Sequence, residues 1–250
     1  MTKILVAGSR GRMGSRISAM VRESKDLSLA AEIDAGDNLE RSIEGCDVAI
    51  DFTVAQAAAK NAEIAALYRK PIVIGTTGLS DEQKLAVEKA SLEIPVVFAP
   101  NMSVGVNVML KLIQIASRAL KSRCKIDIVE AHHVHKLDRP SGTAKKMLDI
   151  VTGETGLSLE KDVFFYEEET GEPDEGGDTE ISVRSIRRGE VVGDHAIHFT
   201  SPGETLTITH HAATRDIFAE GALEAARWIV GKEPGLYGMG DVLELNPERS

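Results

Sequence analysis

The first hundred residues alternate short apolar runs with segments that have the spacing of amphipathic helices. The strand-like apolar runs are 3–7, 27–33, 47–52, 71–74 and 95–99. Helix-like segments lie at 13–23, 55–69 and 80–92, and the last opens with Ser80-Asp-Glu-Gln83, a capping-box pattern. Continuous apolar strands that alternate with helices are typical of a parallel sheet covered on both faces. The pattern therefore predicts an α/β, doubly wound fold.

The pattern changes after residue 103. The run 104–120 is predicted to be a long amphipathic helix, 125–131 a strand and 143–152 another helix. Strand-like runs at 180–187, 194–200 and 205–211 are joined by turn-sized gaps, which indicates an antiparallel or mixed sheet. The stretch 167–178 is rich in Glu, Gly and Asp and predicts an exposed loop. A helix is expected at 217–230 and a short closing element at 239–245.

A glycine-rich turn joins the first predicted strand to the first predicted helix. It reads Gly8-Ser9-Arg10-Gly11-Arg12-Met13-Gly14. Glycine permits a tight turn and lets the backbone approach a pyrophosphate, which rests at the helix N-terminus. The spacing is GxxGxxG and not GxGxxG, so the glycines alone are a weak signal. The strand before them and the helix after them favour a dinucleotide site over a tight turn that binds nothing.

Asp34 ends the second predicted strand, 20 residues after Gly14. An acid at that place binds both hydroxyls of a ribose and repels a 2′-phosphate, which favours NAD. Arg10 and Arg12 argue the other way, because a guanidinium pairs well with a 2′-phosphate. We therefore expect NADH, NADPH or both as cofactor.

Two further loops follow the fourth and fifth predicted strands. They read Gly75-Thr76-Thr77-Gly78 and Ala99-Pro100-Asn101-Met102-Ser103. Ordinary turn chemistry would explain either loop alone. The carboxyl ends of parallel strands meet at one edge of the sheet, where ligands bind in such folds. Their shared position beside the glycine turn therefore favours cofactor contacts.

The overall charge excludes some classes of partner. The formal net charge is −10 and the sequence pI is about 5.3, which argues against nucleic acid or an anionic membrane as a general partner. No apolar run approaches the ~20 residues that a membrane span requires. Cys46 and Cys124 lack CxxC spacing and are expected to be reduced core thiols. We expect a cytoplasmic protein.

Residues 130–144 combine three histidines, a lysine and a Pro-Ser-Gly-Thr turn that leads into a helix. Imidazole and ammonium groups supply protons near neutral pH. A Ser-Gly-Thr turn that opens a helix presents backbone N–H groups and the positive end of the helix dipole to an anion. The segment predicts a proton donor beside a carboxylate site. Together with the nucleotide-binding pattern, it suggests a reductase that acts on an acidic substrate.

Two other interpretations of the histidines stay open. His132, His133 and His135 are candidates for zinc ligands, but neighbours on a strand face opposite sides and no HExxH or CxxC motif accompanies them. We therefore expect no metal. The histidines are alternatively a solvated cluster or a buried structural group. The remaining histidines are His195, His198, His210 and His211. They are expected to be structural or interface residues, and the alternative that one of them lines the cleft stays open.

The chain resembles the 4-hydroxy-tetrahydrodipicolinate reductase (dihydrodipicolinate reductase) family nearly from end to end. The motifs that carry the resemblance are Gly-x-x-Gly-Arg-Met-Gly14, Asp51-Phe-Thr53, Gly75-Thr-Thr-Gly78, Asn101-Met-Ser-Val-Gly-Val-Asn107, Glu130-Ala-His-His-x-His-Lys-x-Asp-x-Pro-Ser-Gly-Thr143, Ile208-Thr-His210 and Gly231-Lys-Glu-x-Gly-Leu236. The histidine segment is highly specific, whereas the glycine turn alone is not. Arg139 stands where alanine is common in the family, beside the expected pocket.

The resemblance implies a domain plan. It implies an N-terminal Rossmann domain over 1–103, completed by 213–250. It also implies a central α+β domain over 104–212 that binds substrate and forms a homotetramer through its sheet. The reaction would be the transfer of a hydride from NAD(P)H to C4 of a cyclic, imine-conjugated dicarboxylate, in the diaminopimelate route to lysine.

The resemblance also implies roles for individual residues. His132 matches the family's proton donor or acceptor and Lys136 its proton donor, while His133, Gly142 and Thr143 match substrate contacts. The implied nucleotide contacts are Gly8, Ser9, Arg10, Gly11, Arg12, Met13, Asp34, Gly75, Thr76, Thr77, Ala99, Pro100, Asn101 and Met102. Two other functions stay open: another NAD(P)-dependent dehydrogenase of aspartate-derived metabolism, and a nucleotide sensor without catalysis.

Overall fold

The structure is a computed structural model, and it describes residues 1–166 and 180–245. The chain divides into two compact units. Unit 1 runs to Val104 and resumes at Asp216, and unit 2 is Gly105–Arg215. The predicted loop at 167–178 lies outside the described residues. Among the helices of the described part, none has the length and apolar character needed to cross a membrane.

The elements of unit 1 come from both ends of the chain. In the first part they are β1 (Thr2–Ala7), α1 (Arg12–Glu23), β2 (Leu27–Ile33), α2 (Glu40–Ile43), β3 (Val48–Asp51), α3 (Ala55–Leu67), β4 (Ile72–Ile74), α4 (Asp81–Ser91) and β5 (Pro95–Phe98). Unit 2 then follows with α5 (Val104–Leu120), a 3₁₀ turn (Lys121–Arg123), β6 (Lys125–His132), α6 (Gly142–Thr155), β7 (Val163–Tyr166), β8 (Ile181–Arg187), β9 (Gly193–Ser201) and β10 (Glu204–Ala212). The chain returns to unit 1 with α7 (Asp216–Ile229), β11 (Gly235–Tyr237) and α8 (Met239–Val242).

Unit 1 contains a six-stranded sheet in the order β11-β5-β4-β3-β1-β2, and all of its strand pairs are parallel. Helices pack on both faces. One face carries α1 and α7 over a core that includes Ile4, Ile50 and Ala222, and the other carries α2, α3 and α4 over a core that includes Leu5 and Ile72. The predicted doubly wound fold is confirmed. The strand order reverses beside β1, which is where such sheets open a crevice for ligands.

Unit 2 contains a five-stranded sheet in the order β10-β9-β6-β8-β7. Its strands pair antiparallel on one side of β6 and parallel on the other, which confirms the predicted mixed sheet. Residues two apart on a strand share a face, so Glu130 and His132 continue the inward row begun by Ile126 and Ile128. That row starts in the apolar core beneath α5 and α6 and ends in polar side chains.

Most predicted elements agree with the structure to within three residues at either end. The capping box of α4 forms as predicted, with both reciprocal hydrogen bonds between Ser80 and Gln83. The predicted helix at 143–152 extends from Gly142 to Thr155. Among the described residues, four short elements were not predicted: α2, the 3₁₀ turn, β7 and β11. The closing element is the short helix α8.

Candidate active site

The glycine turn of unit 1 depends on two glycines. Gly8 has φ +80°, and a Cβ there would lie 2.5 Å from the carbonyl oxygen of Phe52. A Cβ on Gly14 would lie 2.0 Å from the carbonyl oxygen of Gly8, so α1 begins in direct contact with the turn. Gly11 caps α1 in extended conformation without a side chain. Gly11 is exposed, and no capping side chain of the described residues occupies the first-turn amides of α1, as an anion site requires.

Asp34 lies beside the same turn. Its carboxylate accepts hydrogen bonds from the backbone N–H groups of Arg10, at 2.7 Å, and Ala35, at 2.8 Å. These two bonds lower the pKa of Asp34, with the Arg10 bond the larger cause. The carboxylate is ionised at neutral pH and keeps lone pairs that can accept further hydrogen bonds.

Asp51 connects three segments at the carboxyl ends of β3 and β4. Its side chain is fully buried. One oxygen accepts from Thr76 Oγ1 at 2.7 Å and from Thr53 Oγ1 at 2.8 Å, and the other accepts from Asn61 Nδ2 at 2.7 Å. Buried carboxylates are stable only when such donors satisfy them. Asp51 therefore sets the position of the Thr76 loop, which the sequence associated with the cofactor.

The loop after β5 is more buried than the sequence indicated. The side chains of Ala99 and Met102 belong to the core of unit 1, at 6% and 1% exposure. Asn101 Oδ1 accepts from the backbone N–H of Ser103 at 2.9 Å. Pro100 is exposed. Met102 and Ala99 therefore have only backbone groups to offer a cofactor.

A cleft of about 680 Å³ opens in unit 1 beside the glycine turn, Asp34 and the loop after β3. Its walls include Gly8, Gly11, Asp34, Thr53 and Lys60. Pockets of this size are typical for small-molecule cofactors. The other predicted nucleotide contacts lie on the loops around this edge of the sheet, with Arg10, Arg12 and Thr77 exposed.

In unit 2, the end of β6 presents a buried carboxylate and a histidine on one face. His132 Nδ1 donates to Glu130 Oε2 at 2.5 Å, because an ionised carboxylate accepts only. Burial would raise the pKa of Glu130, but hydrogen bonds from His132, Arg187 and Ser185 lower it to about 2. Glu130 is thus a buried negative charge that orients the His132 ring.

Arg187, on the neighbouring strand β8, binds the other oxygen of Glu130. Its Nη2 lies 2.8 Å from Glu130 Oε1. The same guanidinium donates to the backbone carbonyl oxygens of Asp138, at 2.5 Å, and Lys136, at 3.2 Å. The loop that carries Lys136 is therefore tied to the end of β6.

The ammonium group of Lys136 pairs with Asp138, at 2.9 Å between Nζ and Oδ1. The Lys136 side chain is 24% exposed, so it is accessible from one side. Burial would raise the pKa of Asp138, but the hydrogen bond from Lys136 lowers it. Asp138 is thus an ionised partner for the Lys136 side chain at neutral pH, and a substrate can approach the Lys136 Nζ atom.

The helix α6 begins at the Ser-Gly-Thr turn, where the sequence predicts a helix to open, and Ser141 caps it. Ser141 has extended backbone and its Oγ accepts from the N–H of Ala144 at 3.2 Å. The Ser141 N–H donates to Glu130 Oε1 at 3.2 Å. The first turn of α6 begins with Gly142, which is exposed, and Thr143. The structure thus brings His132 and the α6 N-terminus together around Glu130.

His133 and His135 lie in the turn after β6. The His133 Nε2 atom lies 3.5 Å from a guanidinium nitrogen of Arg215, and burial followed by Arg215 lowers the pKa of His133. His135 is exposed and lies 3.8 Å from Glu190. His133 is therefore a neutral ring beside a cation, whereas His135 is a surface side chain.

His195 lies in the inner row of β9, against His132. The two rings meet edge to face, with centroids 5.2 Å apart, and His195 Nε2 lies 3.4 Å from Ser141 Oγ. Burial and then His132 lower the pKa of His195 to about 4, so the ring is neutral at physiological pH. The sequence left open that one of the later histidines lies at the cleft, and His195 is the candidate for that position. Within residues 1–166 and 180–245, no cluster of three or more His, Cys, Asp or Glu side chains is suited to a metal ion.

Sequence reasoning did not single out Glu130, Arg187 or Asp51 for a role of its own. The sequence did contain a signal for the first two. Glu130 occupies an inward position in an alternating apolar strand, and Arg187 does the same on β8. Two opposite charges at inward positions of adjacent strands predict a buried ion pair.

Two family models match the chain. Residues 2–102 match the model described as dihydrodipicolinate reductase, N-terminus, and residues 105–243 match dihydrodipicolinate reductase, C-terminus. The chain is 41% identical to the 4-hydroxy-tetrahydrodipicolinate reductase of Geobacter sulfurreducens, over 98% of this chain and 100% of that protein. It is 42% identical to the protein of the same name from Akkermansia muciniphila, over 98% of this chain and 99% of that one.

A solved structure has the same fold. It is the dipicolinate-bound dihydrodipicolinate reductase of Paenisporosarcina sp. TG-14, with a TM-score of 0.77 and 23% identity over 96% of this chain and 99% of that one. A probable dehydrogenase from Thermotoga maritima aligns with a TM-score of 0.59 at 12% identity, over 96% of this chain and 92% of that one. These two likenesses concern the fold.

Proposed function

This chain belongs to the dihydrodipicolinate reductase family, and we propose that it reduces 4-hydroxy-tetrahydrodipicolinate to tetrahydrodipicolinate with NAD(P)H, in the diaminopimelate route to lysine. The observation that carries the proposal is the arrangement in unit 2. A buried Glu130 orients His132, Lys136 lies four residues further on, and both precede the capped N-terminus of α6.

The residues of unit 1 fit a dinucleotide. A Cβ on Gly8 or Gly14 would collide with backbone, so the turn keeps the bare backbone that a pyrophosphate needs. The first-turn amides of 12–14 would hold the pyrophosphate, since the Gly11 N–H already donates to the Gly8 carbonyl oxygen at 3.0 Å. Asp34 would hold the ribose hydroxyls, and the loops at 75–77 and 99–102 the remainder. When bound, the reduced nicotinamide would supply a hydride to C4 of the substrate ring, and the 4-hydroxyl group of the substrate leaves as water before or during this reduction.

The proton that completes the reduction comes from unit 2 in this proposal. Glu130 holds the Nδ1 proton of His132, which leaves Nε2 to exchange a proton with the substrate. Lys136 supplies a second donor, whose ammonium group Asp138 holds in place. Acid–base groups placed in this way contribute about 10²- to 10⁴-fold to turnover.

The two carboxylates of the substrate need hydrogen-bond donors, and unit 2 offers these close together. We assign one carboxylate to the first-turn amides at Gly142 and Thr143, where the helix dipole is positive. His133 is assigned to substrate contact as well. Its low pKa leaves the ring neutral, able to donate one hydrogen bond.

We assign NADH as the preferred cofactor. Asp34 is ionised because the Arg10 and Ala35 amides lower its pKa, and Asp37 and Glu40 line the same cleft. The negative charge of a 2′-phosphate bound in this cleft would be repelled by these carboxylates. The exposed Arg10, Arg12 and Lys60 reduce the penalty and leave NADPH usable.

The test is consumption of NADH and of NADPH with enzymatically generated substrate. We expect turnover with both nucleotides and a higher kcat/KM with NADH. Homoserine and simple aldehydes serve as comparison substrates, since another dehydrogenase of aspartate-derived metabolism would act on those. Binding of nucleotide without oxidation of NADH would overturn the proposal and favour a sensor.

We also propose a homotetramer that forms through the sheet of unit 2. The helices α5 and α6 pack on one face of that sheet, and side chains on the other face stay partly exposed in a single copy, among them Val129, Ile186 and Ala196. Light scattering after size exclusion measures the mass, and Val129→Glu is expected to lower it. A monomeric wild-type protein would contradict this assignment.

The proposed location is the cytoplasm. Cys46 and Cys124 are buried free thiols, each in its own unit, as expected in a reducing compartment. Burial raises the pKa of Cys46 to about 11 and also raises that of Cys124, so neither is a reactive thiolate at neutral pH.

A further inference from the structure

A buried ion pair lies beside the residues assigned to proton transfer. The Glu130 side chain is 0% exposed and that of Arg187 3% exposed. Neither residue exchanges a proton with the substrate in the reaction described above, and Arg187 has no role in it so far. Replacing a buried ion pair by apolar side chains is often neutral or stabilising, so the pair is weakly explained by stability alone. The groups that hydrogen-bond to the pair indicate a role in the arrangement of the site.

The two oxygens of Glu130 bind different parts of the site. Oε2 accepts from His132 Nδ1 at 2.5 Å, and Oε1 accepts from the N–H of Ser141 at 3.2 Å. Ser141 caps α6, whose first turn is the proposed carboxylate site. One carboxylate therefore fixes both the imidazole ring and the start of the helix that would hold the substrate.

Arg187 extends the connection to the lysine loop. Its guanidinium binds Glu130 Oε1 at 2.8 Å, together with the carbonyl oxygens of Lys136 at 3.2 Å and Asp138 at 2.5 Å. A planar guanidinium imposes the directions of its hydrogen bonds, which an ammonium group does not. The backbone on both sides of Leu137 is held by this one side chain.

We propose that Glu130 and Arg187 are a positioning pair, which fixes the His132 ring, the Lys136 loop and the first turn of α6 in the geometry that turnover needs. This inference rests on the proposed function. The pair does not exchange a proton with the substrate. It acts through the tautomer and orientation of His132 and through the backbone position of Lys136.

The test replaces both members at once with Glu130→Met and Arg187→Met, because removal of one member would leave a buried charge without its partner. Glu154→Met with Arg118→Met is the matched control. That pair joins a carboxylate and a guanidinium between α5 and α6 of the same unit, at 3.0 Å, and Glu154 also accepts a hydrogen bond from Gln114 at 2.8 Å. Both doubles are compared with wild type for kcat and for KM of NADH.

We expect kcat of the Glu130/Arg187 double to fall by about 100-fold, the lower range for an acid–base contribution, while KM for NADH changes by less than about threefold. The control double should keep kcat within about threefold of wild type. Should the first double fail to fold, Glu130→Gln keeps the side-chain volume and a hydrogen-bond acceptor but removes the charge. Its kcat is expected to fall by about tenfold.

A second readout does not depend on turnover. The ¹⁵N chemical shifts of His132, assigned by their loss in His132→Gln, should show Nδ1 protonated and Nε2 unprotonated in the wild type at alkaline pH. The double variant should lose this preference. The positioning role of Glu130 and Arg187 is contradicted if their double variant folds, keeps the wild-type tautomer of His132 and has a kcat within about threefold of wild type. A wild-type protein that shows the expected tautomer but oxidises no NADH overturns the proposed function instead.

Discussion

The hydroxyl of Thr76 donates a hydrogen bond of 2.7 Å to the buried carboxylate of Asp51, which joins the loop after β4 to the end of β3. The loops after β3 and β4 of unit 1 therefore share one acceptor, because Thr53 also donates to Asp51. Their relative position is set by a side chain that does not line the cleft.

Asp51→Asn tests this connection. The amide accepts fewer hydrogen bonds than the carboxylate, so we expect unit 1 to lose about 2 kcal/mol of unfolding free energy and KM for NADH to rise. Urea unfolding and initial rates measure the two effects. Asp81→Asn, at an exposed ion pair with Lys84, should change the unfolding free energy by less than about 0.5 kcal/mol. Equal stability of the two variants would contradict the role of Asp51.

Gly14→Ala and Gly153→Ala should change stability in opposite directions. A Cβ on Gly14 meets the Gly8 carbonyl oxygen at 2.0 Å, so we expect a loss of more than about 2 kcal/mol and weakened NADH binding. Gly153 is an exposed residue of α6 with no atom within 4 Å of an added Cβ, so alanine should stabilise by about 0.5–1 kcal/mol. Thermal and urea unfolding measure both changes. A neutral Gly14→Ala would mean that α1 can move away from the turn.

Asp34→Ser should shift the choice between NADH and NADPH. The serine removes a charge whose pKa the Arg10 amide keeps low, so a 2′-phosphate loses a repulsive neighbour. We expect the ratio of kcat/KM for NADPH to that for NADH to rise by about tenfold, equivalent to about 1.4 kcal/mol. Glu63→Gln makes the same charge change on the exposed side of α3 and should leave the ratio unchanged. An unchanged ratio in Asp34→Ser would remove the basis for the NADH assignment.

His132→Gln and Lys136→Met should each lower kcat by about 100-fold or more, because each removes a proton donor from the proposed reaction. Stopped-flow or steady-state oxidation of NADH measures the change. His135→Gln is the matched control, since that ring is exposed and lies in the same turn. Near-native turnover in both site variants would show that the protons come from elsewhere.

Unfolding in acid should depend on Glu130. Its pKa is lower in the folded chain, about 2, than its usual value of 4.5, so the ionised carboxylate stabilises the fold above about pH 4.5. This contribution is lost as pH falls toward 2. Between about pH 6 and about pH 3.5 we expect wild type to lose about 1 to 2 kcal/mol more unfolding free energy than Glu130→Gln does. Urea titrations at both pH values provide the comparison, and parallel losses in the two proteins would contradict the assigned ionisation.

Much of the fold was predictable from the sequence because buried apolar residues recur along the chain with the spacing of a helix or a strand. The strands β1 to β5 are apolar runs with helices between them, and α5 was predicted with its observed ends. The missed strands β7 and β11 lie at sheet edges and have partly exposed residues, so neither has the alternation or the continuous burial that marks a strand. Their pairing with β8 and β5 depends on contacts between distant residues, which a local pattern does not contain.

The site was predicted less completely than the fold. The sequence identified His132, Lys136 and the Ser-Gly-Thr turn because these residue types have recognisable chemistry. Arg187 is 57 residues from Glu130 along the chain, and only the register of β6 against β8 brings them together. Asp51 was noted only as part of a motif, because a buried acceptor is recognised by its donors, and Asn61 and Thr76 reach it through the folding of separate loops.

The late return of the chain to unit 1 has a consequence for biosynthesis. The core on one face of the first sheet combines Ile4 and Ile50 with Ala219, Ala222 and Ala226 of α7. During translation, the apolar face formed by the early strands is covered by α1 alone until the ribosome has made the more than two hundred residues that precede α7. Unit 2, whose segments are contiguous in the chain, can fold in that interval. The domain that is synthesised first is thus the one that matures last, and its exposed nascent surface is where a chaperone would be needed.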